Sequence, residues 1–153
     1  MAIKPRVLFL CSENSCRTQM AEAFLREMTG EELDIVSAGA EAGSLDPDAV
    51  AAMREVGIDI SGARTKAVDP YLRQRFHYVI TLCDREQERT CPIFPGAIWR
   101  QTWPVENPAD LAAAGLDRLT AVRHARDKIR WHVDEFVDKH HHPDSGKGKS
   151  TWT

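Results

Sequence analysis

The chain has 153 residues and a formal net charge of −3, with acidic and basic side chains mixed along its length. That length suits one domain able to bury roughly two thirds of the surface its unfolded form exposes, so no disulfide or metal is needed as a staple. No block of lysine or arginine suggests a nucleic-acid or membrane surface, and no apolar run approaches the ~20 residues of a membrane span. The N-terminal MAIKPRVLFLC has too short an apolar run for a signal peptide and lacks a small-residue cleavage site, so a cytoplasmic protein acting on small soluble ligands is expected.

In chain order, RVLFLC reads as a buried strand, apolar on both faces. RTQMAEAFLREMTG reads as a helix with Met20, Ala21, Phe24, Leu25 and Met28 on one side and Gly30 at its end. LDIVSAG is a second strand, and DPDAVAAMREVGI a second helix opened by Asp46 before Pro47. DPYLRQRF predicts a short third helix, HYVITLCD a third strand, and GAIWRQTWPV contains a fourth. A last long helix begins near Asp117 and carries Leu119, Val122, Ala125, Ile129, Val133, Phe136 and Val137 at three- and four-residue steps. Strands alternating with helices imply an α/β fold with a parallel sheet covered on both faces and ligands beyond the carboxyl ends of the strands, where Cys11 and Cys83 both fall. Residues 1–140 form the expected domain. Residues 141–153, polar and rich in Gly and Ser, read as a disordered tail whose histidines are solvated.

The segment CSENSCRT, residues 11–18, joins the first strand to the first helix. Such a loop turns backbone N–H groups inward, and the helix N-terminus adds partial positive charge, so Ser12, Glu13, Asn14, Ser15, Cys16, Arg17 and Thr18 are candidate oxyanion-binding residues. Arg17 offers a planar fork of donors for two oxygens. The same field favours a thiolate nucleophile at Cys11, to which Thr18 can donate. Asn14 can hold the tight backbone and tolerates a left-handed conformation. A bare Cys-x5-Arg recurs by chance; between a buried strand and an amphipathic helix it is specific.

These residues carry a resemblance. VLFLCSENSCRTQMAEAFLREM is similar to the phosphate-binding loop of the low-molecular-weight protein tyrosine phosphatases, and more closely to that of the thioredoxin-coupled arsenate reductases sharing their fold. The likeness continues through VSAG, GIDISGARTK, YVITLCD, CPIFPG and WPVENPADL. It implies a four-stranded parallel sheet flanked by helices on both faces. It also implies reduction of arsenate, with phosphate or sulfate as competing oxyanions: Cys11 attacks arsenate, Cys83 attacks Cys11 and releases arsenite, and Cys91 attacks Cys83. Thioredoxin would reduce the resulting Cys83–Cys91 bond, a place that glutaredoxin or a small thiol could also fill. No cofactor is expected.

Reduction of As(V) consumes two electrons, which a disulfide supplies, whereas a phosphatase needs a single thiol. The polar DREQERT between Cys83 and Cys91 suits a loop that changes conformation. Cys-x4-Cys with Cys-x7-Cys lies outside common zinc spacings, so no metal site is expected; inert thiols are the remaining alternative at Cys83 and Cys91. Cys16 reads either as a protective disulfide partner of Cys11 or as a passive small residue. Two positions depart from the resembling pattern. Lys66 stands where one branch of the reductases has an aspartate that helps hold potassium; its ammonium can supply the cation's charge, so no potassium requirement is expected, the alternative being a plain surface lysine. Asn107 stands before Pro108, at the general-acid position, where an amide cannot release a proton. Set against reduction are phosphotyrosine hydrolysis and non-enzymatic oxyanion or redox sensing.

Overall fold

The computed structural model describes residues 4–83 and 94–140. Four strands, β1 (Arg6–Cys11), β2 (Asp34–Gly39), β3 (Phe76–Leu82) and β4 (Ala97–Trp103), pair in parallel in the order β2-β1-β3-β4. Helices α1 (Arg17–Thr29), α2 (Pro47–Glu55), α3 (Pro108–Ala113) and α4 (Arg118–His140) complete the described architecture, with a 3₁₀ turn at Asp69–Tyr71. No helix among the described residues is long and apolar enough to cross a membrane.

Strand alternation divides the core. Val7 and Phe9 of β1, with Tyr78, Ile80 and Leu82 of β3, pack against Met20, Phe24 and Leu25 of α1, Met53 of α2, and Ile129, Val133 and Phe136 of α4. Leu8, Leu10, Phe76 and Val79 face the other way, where Val68, Tyr71 and Phe94 cover them. β1 is therefore apolar on both faces because both are buried. Each fully buried large side chain contributes roughly 1.5–3 kcal/mol. α2 is also tied to α4 by charge: Arg123 grips both Glu55 carboxylate oxygens, and Arg126 donates to Glu55 and to the Ala52 carbonyl.

One expectation is corrected here, and one element is added. The segment 69–76 makes only a 3₁₀ turn: Tyr71 packs on Phe76 while Leu72 stays exposed, too little apolar surface to hold a nucleated helix. α3, a helix of six residues, was not foreseen; Asn107 caps it and Pro108 occupies its first position.

From β1 the chain crosses to β2 on one side, while β3 and β4 lie on the other. The sheet order reverses between β1 and β3, and α/β sheets bind ligands beyond the strand ends at such a point. Cys11 ends β1 and Cys83 follows the last residue of β3.

Candidate active site

The loop after β1 is held from outside. The carbonyls of Cys11, Ser12, Glu13 and Ser15 accept hydrogen bonds from the backbone N–H groups of Ala40, Glu41, Gly43 and Asp46, at 2.9–3.1 Å. Spending those carbonyls on the 40–46 segment leaves the loop's amide groups for the interior, the arrangement that builds an anion-binding nest. The approach is close enough that a Cβ on Gly39 would meet the Asn14 amide nitrogen at 2.7 Å.

Asn14 is the pivot. It adopts φ 56°, the left-handed conformation expected of it, and is fully buried. Its Oδ1 accepts from the Lys66 backbone N–H at 2.8 Å and from Gln19 Nε2 at 2.9 Å. A backbone N–H can only donate, so this fixes the amide orientation and leaves Nδ2 to donate to Thr18 Oγ1 at 2.8 Å. The Thr18 hydroxyl, already an acceptor, turns its proton to Cys11 Sγ at 3.1 Å. The Asn14 backbone N–H donates to the same sulfur at 3.1 Å. Two donors converge on Cys11 Sγ, a geometry that suits a thiolate.

Arg17 opens α1 and is buried, its Nη1 donating to the Val105 carbonyl at 3.0 Å. α1 has neither a side-chain cap hydrogen bond nor an acidic residue in its first turn, so no side chain of that turn offsets the partial positive charge of its N-terminus. Cys11, Ser12, Glu13, Ser15, Cys16 and Arg17 line a cavity of about 170 Å³, closed by Asn107 and Ala109 from the start of α3 and by Arg118 from α4. At roughly 30 Å³ per water in the liquid, this space takes a tetrahedral oxyanion with a few waters, and it falls short of the ~300 Å³ where drug-sized pockets begin. Asn14 and Thr18 lie behind Cys11 and act on its sulfur.

The two loop cysteines differ. Both are free thiols. Burial, and then the Asp46 carboxylate, push the Cys16 thiol up to about 12, against the opposing pull of Arg17 and Arg118. Cys16 is therefore a neutral thiol at physiological pH. Cys83 is fully buried and disulfide-bonded, and it does not line the cavity. Cys91 lies outside the described residues, as does the tail 141–153. Lys66 turns its Nζ onto the Arg64 carbonyl at 3.0 Å; its contact with the loop is through its main chain. Among the described residues, no group of three or more His, Cys, Asp or Glu side chains could hold a metal.

Asn107 does two things at once. Its Oδ1 caps α3 by accepting from the Ala109 N–H at 3.0 Å, and it lines the cavity. Capping and proximity to the site coexist in this one side chain. Missed altogether were Gln19, which ties Asn14 to the Arg64 carbonyl, and Arg118, ion-paired with Asp46. The Asp46 helix cap was legible; its partner, 72 residues away, left no local signal.

The model of the low molecular weight phosphotyrosine protein phosphatase family matches residues 6–139. The chain belongs to that family. Among its relatives, the arsenate reductase of Oceanobacillus iheyensis is 40% identical over 134 residues, covering 88% of this chain and 96% of the relative. A solved arsenate reductase in the phosphate-binding state superposes with a TM-score of 0.73 at 30% identity, covering 88% of this chain and 98% of that one. A thioredoxin-dependent arsenate reductase of Corynebacterium glutamicum gives a TM-score of 0.67 at 27% identity, over 90% of this chain and 62% of its own. This phosphatase-family fold thus carries a loop whose similar proteins include reductases.

Proposed function

We propose that the chain reduces arsenate to arsenite through Cys11, Cys83 and Cys91. The Cys11 thiolate attacks arsenic in the cavity and one oxygen leaves as water or hydroxide, giving a thiol adduct of As(V) held by Arg17 and the loop amides. The Cys83 thiolate then attacks Cys11 Sγ. The sulfur–arsenic electron pair passes to arsenic, which leaves as arsenite, As(III), and a Cys11–Cys83 disulfide remains. Cys91 attacks Cys83, returns Cys11 to the free thiol and leaves a Cys83–Cys91 bond for an external dithiol to reduce. Two thiols are oxidised for each arsenic reduced, so the electrons balance.

The observation that carries this reading is that Cys83, at the end of the strand beside β1, is disulfide-bonded while Cys11 is free. A phosphatase has no use for an oxidisable thiol there, and Asn107 withholds the proton that an aryl phosphate's leaving group needs. The Corynebacterium relative favours thioredoxin as the dithiol.

The test is a coupled assay with arsenate, thioredoxin, thioredoxin reductase and NADPH. One NADPH consumed per arsenite formed supports the proposal. Release of phosphate from para-nitrophenyl phosphate with no arsenite from arsenate would replace it with the phosphatase reading, and neither product would leave a binding role.

A further inference from the structure

The charges around the cavity do not favour an anion on Arg17 alone. Arg17 is opposed by Glu13 on the loop and by Asp46, whose backbone N–H is bonded to the Ser15 carbonyl. Arg118 restores the balance. It lines the same cavity from the first position of α4, and its Nη2 is bonded to Asp46. Its Nε is shielded from solvent with no hydrogen-bond partner, its near carboxylate being Asp48 at 3.8 Å, too long for a hydrogen bond. An arginine whose guanidinium is incompletely partnered and whose side chain is 41% exposed, on the wall of an oxyanion cavity, has donors to offer.

We infer that Arg118 is a second oxyanion-recognition residue, a specificity-determining guanidinium that Asp46 orients toward the outer oxygens of the substrate while Arg17 holds the inner ones. The inference rests on the cavity's being the arsenate site. A dianion bound by Arg17 and the loop amides keeps oxygens directed outward, and Arg118 meets them with a charge-assisted hydrogen bond. Losing such a bond weakens binding roughly tenfold or more. Arg118 stands apart from the sulfur chemistry, so it governs capture of the anion and leaves the thiol steps alone.

Inorganic phosphate is the probe, because it occupies the cavity without being reduced, and calorimetric titration reads its affinity independently of any thiol step. R118Q is expected to weaken phosphate roughly tenfold and to raise the arsenate KM in parallel, with arsenite formation at saturating arsenate within about twofold of the parent. R118K keeps a charge for Asp46 but lacks the fork, and should recover only part of the affinity. The double variant D46N/R118Q separates contact from neutralisation: under direct recognition the weak phosphate binding persists. Unchanged phosphate affinity in R118Q overturns the inference, as does full recovery in the double variant, which would mean that Arg118 merely cancels Asp46. Should R118Q fail to fold, R118K alone decides, and affinity within twofold of the parent overturns the inference. A parent chain that binds phosphate in an Arg118-dependent way yet forms no arsenite supports this inference and overturns the proposed function.

Discussion

Cys11 and Cys16 share one loop, yet their surroundings differ. Cys11 Sγ receives two donors, whereas burial, and then the Asp46 carboxylate, push the Cys16 thiol up to about 12. Iodoacetate at pH 7.5 is therefore expected to alkylate Cys11 and spare Cys16, with phosphate protecting Cys11. Peptide mass mapping checks this, and preferential labelling of Cys16 would reverse the assignment. Correspondingly, Cys11→Ser should abolish arsenite formation with an unchanged circular dichroism spectrum, while Cys16→Ser should keep most of it. At Asn107 the cap and the cavity act together. Asn107→Asp supplies a carboxyl beside the leaving group, but the Ala109 N–H that caps onto it favours the ionised form. Hydrolysis of para-nitrophenyl phosphate should rise several-fold, more at pH 5 than at pH 7.5, with arsenate reduction changed less than about twofold. No rise at either pH would show that this position does not reach the leaving oxygen.

Among the elements, the α2–α4 contact makes its own prediction. The hydrogen bonds from Arg123 and then Arg126 lower the Glu55 carboxyl from 4.5 to about 2. The unfolded state therefore binds this proton more readily, so the contribution of Glu55 is complete above about pH 4.5 and is lost as pH falls toward 2. Glu55→Gln should lower Tm modestly at pH 7, the deficit shrinking as the pH is lowered through that window and as salt is added, because the carboxylate is exposed. A deficit independent of pH would assign the effect to packing. Elements of this kind were unevenly legible. β1 and α1 could be read because their apolar periods are long and unambiguous, and Asn14 because few side chains tolerate its backbone. α3 escaped notice because its six residues bury only Pro108, and 69–76 was overread because an Asp-Pro start promises more helix than its side chains can anchor. The Asp46–Arg118 and Arg17–Val105 contacts depend on closure of the whole fold, and no local spacing encodes them.

Across the whole molecule, the proposed chemistry joins two strand ends. The β1–β3 register pairs Leu10 with Thr81, so Cys83 lies one residue beyond the position level with Cys11; neighbouring parallel strands lie ~4.8 Å apart, which leaves the two strand ends within reach of each other once one of them shifts. Cys91→Ser should then complete about one turnover per chain and stop as a Cys11–Cys83 disulfide. Mass mapping of the stalled protein reads that bond, and a free Cys83 after arsenate exposure would refute the sequence of steps. The four backbone bonds from 40–46 decide which of the two ends gives way. They fasten the β1 loop to its neighbour before any anion arrives, so the nest has almost no reorganisation left to undergo and behaves as a stator. The displacement needed to bring the two sulfurs together falls on the β3 end. In hydrogen exchange, the amides of Ala40, Glu41, Gly43 and Asp46 should be slow and stay slow in the stalled Cys91→Ser protein, while those of Leu82 and Cys83 lose protection. The opposite pattern would place the moving part on the phosphate loop itself.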